Sequence, residues 1–378
     1  MSDKQKGEYH RALPDSRTQT TTALTALDER DRERSNPETS DQSVICKDLH
    51  SLLSLIYNLS TKLSLALNPS SPTYSASLPL LQDLAKHASG VVYCVSLLNE
   101  VQYGATFIKD TTNLVKGILE SLRDLVQTFI DLAARDLPST SGTTGEEYLV
   151  RTAALHHLIT TAQGPNGIPK DNRSAVRQHW SVDKATLEDG LAEVSRMIEE
   201  AERDDASHPA EEEEDDDDGW DELGLGTNAS LNKDELSRVK SVYPILRLTT
   251  LLHKRVFLDV ISSTCTAPVS NVAYDSLLEQ SHSLLEASDE LVATLYSPQD
   301  PDSVCKEVAA LMTVVAALRT RLQAFFPVDD GLDAQIKQLS VQDSPSPKPS
   351  KSVGKKWFDT CFDQISRLSA NFISPSDG

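Results

Sequence analysis

From Val44 onward the apolar residues of this chain recur at steps of three and four, a spacing that suits a set of packed helices and little else. Ile45, Leu49, Leu52, Ile56, Leu59, Leu63 and Leu67 advance by four, three, four, three, four and four. At about 3.6 residues per turn, such steps return to one side of a helix and leave an apolar stripe to be buried against neighbours. The pattern repeats in Leu81, Leu84, Ala88, Val91, Val95 and Leu98, and again in Ile108, Thr111, Val115, Ile118, Leu122, Leu125, Phe129 and Leu132. No period-two alternation of the kind a half-buried strand requires lies between them.

Punctuation separates these stripes. "NPSSPTYS" follows the first, "LPSTSGTTG" the third, and "QGPNGIP" ends a fourth helix expected to begin at "TGEE", with Thr144 as cap and Glu147 closing a capping box. A fifth, from about Asn172, turns Val176, Trp180, Leu187, Leu191, Val194 and Ile198 inward. Beyond the acids, Ser230 or Asn228 is expected to cap a sixth helix carrying Val239, Val242, Leu246, Thr249, His253, Val256 and Val260, with Pro244 bending it. A seventh (Tyr274, Leu277, Leu284, Leu291, Leu295) and an eighth (Val304, Val308, Leu311, Val315, Leu318, Leu322, Phe325) follow, and Trp357, Cys361, Ile365, Leu368 and Phe372 mark a last amphipathic helix.

The fold expected is all-α: two antiparallel helical bundles joined by an acidic linker. In residue terms this is a disordered tail at 1–41, rich in Thr, Ser and mixed charge ("DERDRERS"), and a five-helix bundle at 42–203. An acidic flexible linker at 204–229, a second bundle at 230–328 and a flexible Ser/Pro segment at 329–354 follow. The helix at 355–373 is expected to dock on the second bundle.

Net charge is −21, and Glu199 to Glu222 hold −14 of it, so the rest of the chain carries only −7. Neither part offers the clustered Lys and Arg that neutralise phosphates, so direct nucleic-acid binding is not expected. The five cysteines are scattered without a C-x-x-C pair, and the N-terminus lacks an apolar signal core, which points to a reducing, intracellular setting. Leu49 to Leu67 has the length of a bilayer span, but His50, Asn58 and Lys62 interrupt it, so a core helix is expected and no membrane partner.

The sharpest local feature is "EEEEDDDDGWDEL" at 211–223. Glu214, Asp216, Asp218 and Gly219 mimic the start of a calcium loop, but the position that must supply a bidentate Glu is Leu225, so no metal site is expected. Glu211, Glu212, Glu213, Glu214, Asp215, Asp216, Asp217 and Asp218 are instead a polyanion that can draw in a basic partner, with Trp220 as its one aromatic. Trp220 and Leu223, the first apolar residues after the charge run, are also expected to anchor the linker onto a bundle. His156 and His157 are adjacent on a helix and point about 100° apart, too divergent to share a metal. No nucleophile elbow, phosphate-cradling glycine loop or zinc-helix motif occurs, so neither cofactor nor enzymatic activity is expected. Ser344, Ser346 and Ser374, each followed by proline, are candidate phosphorylation sites.

Three stretches carry a family resemblance: "WDELGLGTNASLNKDELSRV", "PKDNRSAVRQHW" and "SDELVATLYSPQD". With two helical blocks set around an acidic stretch, the chain resembles the cyclin-D-binding protein family, also called the Grap and cyclin-D-interacting proteins, over roughly residues 44–327. The resemblance implies two bundles similar in style to those of vinculin and α-catenin. It also implies a nuclear and cytoplasmic regulator of cell-cycle progression and transcription whose partners are D-type cyclins and helix-loop-helix factors. From the residues themselves two other readings stay open: an acidic chaperone or adaptor for basic proteins such as histones, and a cytoskeletal helical-bundle adaptor.

Overall fold

A computed structural model describes residues 3–30, 41–134, 146–207, 231–263, 269–326 and 352–373, and among them there are helices and no strand. The chain forms two compact units, residues 1–175 and 176–378.

The first unit contains α1 (Asp3–Arg30), α2 (Gln42–Ala66), α3 (Tyr74–Ser96), the single turn α4 (Glu100–Tyr103), α5 (Ala105–Ala134) and α6 (Glu147–Gln163). Its long helices close a ring: α1 lies against α3 and α5, α3 against α2, α2 against α6, and α6 against α5. The buried residues follow the spacing read from the sequence, from Ile45 to Leu67 on α2 and from Ile108 to Phe129 on α5. On α2 the core takes Leu53, while Leu52 is only half-buried.

Residues 1–41, expected to be a disordered tail, contain α1 instead. It buries Leu13, Ser16, Thr20, Ala23, Leu24 and Leu27. This is a three-four stripe in which two positions are hydroxyl residues and one is alanine, so a scan for large apolar side chains passes over it. Thr20 meets its own need inside the core by bonding to the Ser16 carbonyl at 2.9 Å.

The unit boundary after Ala175 also departs from the expected bundle at 42–203. α7 (Asn172–Ser207) gives its first four residues to the first unit and the rest to the second. Asn172 acts as a remote cap, its Oδ1 accepting from the Phe107 amide at 2.9 Å, an N–H in the first turn of α5 that has no partner within its own helix. Gly104 makes the approach possible. Its φ of +91° is a left-handed conformation, and a Cβ there would lie 2.0 Å from the Asn172 Cγ. Gly104→Ala is therefore expected to destabilise the first unit by about 2–3 kcal/mol, combining a strained φ with displacement of the cap. A thermal melt unchanged by the substitution would contradict this.

The second unit holds the rest of α7 with α8 (Lys233–Arg255), α9 (Asn271–Ala293), α10 (Pro301–Leu322) and α11 (Ser352–Ile373). α8 runs through Pro244 as one helix and continues as a π-helical stretch, Val256–Ile261. Its cap is Asn232, whose side chain accepts from the Asp234 and Glu235 amides while the Glu235 carboxylate accepts from the Asn232 amide. The capping box thus sits two residues beyond the expected Ser230. The start of α6 likewise differs: Glu146 occupies the cap position without a side-chain bond, and Thr144 lies outside the described residues.

Among the described helices, Pro301–Phe325 alone is long and apolar enough to cross a membrane. Its face from Val304 to Leu322 is buried in this unit, as in a core helix.

Candidate functional site

The second unit carries its chemistry in two places, a buried polar chain and a groove that holds a helix. The polar chain begins at Trp180, which is fully buried. Its indole stacks on the His253 ring with centroids 4.3 Å apart, and its Nε1–H donates to the His253 carbonyl at 3.1 Å. The Ser281 hydroxyl donates to Asp183 Oδ2 at 2.6 Å. With its only proton used there, Ser281 must accept from His253 Nε2–H, 2.7 Å away. The imidazole is therefore the Nε2–H tautomer, and its Nδ1 is buried with no partner among the described residues. Charging that ring would place a cation in the core, so burial pushes the His253 pKa down to about 3.

The order of groups decides what this chain can do. In a hydrolytic triad the imidazole stands between carboxylate and hydroxyl and takes the hydroxyl proton. Here the hydroxyl stands in the middle and gives its proton to Asp183, so His253 cannot activate it. The arrangement ties α7, α8 and α9 together through fully paired donors. His282 Nε2, 3.5 Å from Asp183 Oδ2, adds a fifth group at the half-exposed edge.

The groove lies between α8 and α10, and α11 fills it. Trp357 meets Arg255 near the end of α8 and Cys361 meets Leu248 further back, so α11 runs antiparallel to α8. Asp359 and Asp363 meet Arg319 while Ser369 meets Met312, so it runs antiparallel to α10 as well. Phe358, Cys361, Phe362 and Ile365 form the buried seam. Burying each large apolar side chain contributes about 1.5–3 kcal/mol. At the rim the Arg319 guanidinium forks, one nitrogen 2.9 Å from Asp363 Oδ1 and the other 3.2 Å from Asp359 Oδ1, and the same group lies 5.5 Å from the Phe362 ring. Arg255 covers the Trp357 ring at 5.1 Å.

The expected α11 stripe was rotated by about one position. Cys361 and Ile365 are buried, but Trp357, Leu368 and Phe372 are half-buried, and Phe358 and Phe362 take the centre. The pairs Phe358–Phe362 and Cys361–Ile365, each spaced by four, carried this signal in the sequence. Arg255 and Arg319 had no sequence signal, because what they meet is about a hundred and about forty residues away.

Of the site residues expected from sequence, Glu211 to Asp218, Trp220, Leu223, Ser344, Ser346 and Ser374 all lie outside the described residues. The histidine pair sits in the first unit. His156 stacks on Tyr57 at 3.9 Å with Nε2 3.0 Å from Ser60 Oγ, and burial lowers its pKa, while His157 is exposed. Among the described residues no cluster of His, Cys, Asp and Glu is arranged to hold a metal ion.

Two family models match the chain. The Grap2 and cyclin-D-interacting, N-terminal model covers residues 48–200, and the Grap2 and cyclin-D-interacting, C-terminal model covers residues 216–320. No curated protein matches it. The matched regions run from α2 into α7 and from the acidic run to the last turn of α10, so α1 and α11 both lie beyond them.

Proposed function

Because this chain belongs to the Grap2 and cyclin-D-interacting protein family, we propose that it is a non-enzymatic interaction protein that regulates cell-cycle progression and transcription in the cytoplasm and nucleus by binding cyclin-like or helix-loop-helix partners. The observation that supports this reading is the α8–α10 groove, which holds an amphipathic helix through a buried seam and charged rims. Helix-in-groove contact is a general means of protein recognition, and it draws affinity from apolar anchors spaced as α11 spaces its own.

A second reading rests on the run Glu211–Asp218, whose charge suits capture of basic proteins such as histones. Salt separates the two. Calorimetry of the full-length protein with a purified D-type cyclin is expected to give a Kd that changes by less than about threefold between about 50 and about 150 mM salt. Loss of affinity by about tenfold or more over that range would favour the polyanion as the binding element. No heat of binding at either salt would remove the cyclin from the list of partners.

A further inference from the structure

The five helices of the second unit are not held alike. α7, α8 and α9 are cross-linked by the Trp180–His253–Ser281–Asp183 chain, and α9 is packed along α10. α11 stands apart from this frame in sequence, since 25 residues (327–351) separate it from Phe326 and the family match ends at residue 320. Nearly every contact described for it is side chain to side chain, the weak Cys361 Sγ to Leu248 carbonyl bond excepted. Such contacts do not depend on which chain supplies the helix.

We propose that the α8–α10 groove is a receptor for amphipathic helices bearing two carboxylates four residues apart beside an aromatic and aliphatic seam, and that α11 is a tethered occupant which a partner helix of this chemistry replaces. The inference rests on reading the protein as an interaction protein and names the chemistry of the partner. Asp359 and Asp363 are one turn apart on the same side of α11, and the two nitrogens of Arg319 take one each. A planar fork with two spaced donors selects that pair of acids over a single charge. Arg255 at the other rim selects an aromatic face. The floor then takes apolar side chains at the positions of Phe358, Phe362 and Ile365, whose spacing of four and three is that of one helical face.

Tethering sets the strength of the competition. A helix carried on the same chain as its groove faces it at an effective concentration on the order of millimolar, so a free partner meets a groove that is mostly filled. Its apparent affinity is its intrinsic affinity multiplied by the fraction of chains in which α11 has left.

Fluorescence anisotropy with a labelled peptide of residues 352–373 tests this on the full-length chain. Phe358→Asp together with Ile365→Asp should unseat α11, and that variant is expected to bind the peptide at least about tenfold more tightly than the wild type. Adding Arg319→Glu should remove about tenfold of that affinity, and a peptide carrying Asp359→Lys and Asp363→Lys should recover part of it. Equal, weak binding by wild type and variant would overturn the proposal, as would a variant whose second unit has lost its cooperative melt, because α11 would then be part of the core.

Hydrogen exchange on the wild type gives a check that needs no variant. Amides of α11 are expected to exchange at least about tenfold faster than those of α9 and α10, and equal protection would overturn the proposal. A chain that takes the peptide but no cyclin keeps this inference and loses the cyclin assignment. A chain that takes cyclin but no peptide once α11 is unseated loses this inference alone.

Discussion

Trp180→Ala should cost the second unit about 4 kcal/mol and lower its melting temperature by roughly 10 °C, the largest effect expected of any single substitution described here. The indole is fully buried, and its removal does three things at once. It opens a cavity the size of a bicyclic ring, leaves the His253 carbonyl without its 3.1 Å donor, and uncovers the face of an imidazole that the structure keeps neutral. Trp180→Phe separates these effects. A phenyl ring keeps much of the stack and fills part of the space but cannot donate, so about 1–2 kcal/mol should be lost. Differential scanning calorimetry decides the matter, and a loss below about 1 kcal/mol for the alanine variant would show that the core does not depend on this ring.

Acid should weaken the second unit well above the range where carboxylates titrate. An unfolded histidine titrates near 6.5, whereas the folded chain holds His253 at about 3. Between those values the unfolded chain binds a proton that the folded chain does not, so stability falls as pH falls below 6.5, by about 1.4 kcal/mol per unit, and is level above it. The interval from about 6.5 to about 4.5 is the informative one. Glu188, held down by its bond from Lys184, begins to take up protons in the unfolded chain only at the acid end of that interval. So does Glu235, whose bonds from the Gln299 and Asn232 amides outweigh its burial. His156, lowered by burial, contributes with the same sign from the first unit. His253→Gln isolates the contribution of the buried ring: glutamine can keep an N–H toward Ser281 but takes up no proton. Melts of the variant should show a markedly flatter slope between pH 6.5 and 4.5, despite a lower plateau from the lost stack on Trp180. An unchanged slope would mean that the ring is protonated in the folded state.

The candidate groove shows how far a sequence reading reaches. The amphipathic character of 355–373 is a local property and was legible, as were most of the buried positions on α3, α8 and α10. The rotation of the α11 seam toward Phe358 and Phe362 was not, because two stripes one position apart fit the same residues equally well. Only the floor between α8 and α10 selects one of them. The cap of α8 was misplaced for a related reason: Ser230, Asn228 and Asn232 all have the right side chain, and the choice falls to Asn232 because Glu235 stands three residues on, able to reach back.

What the sequence determined by itself is the long helices from α2 onward and, within about one residue, the face each one hides, because the apolar period, the breakers and the caps act within a turn or two of the backbone. What only the tertiary structure decided is which helices share a core. α7 carries an apolar stripe that could serve either unit, and it goes to the second because Trp180 finds His253 and Asp183 finds Ser281 there. α1, with a stripe diluted by Ser16 and Thr20, takes the fifth place in the first. The burial of apolar surface has no direction of its own, so a helical stripe states that a helix must be covered and leaves open by what.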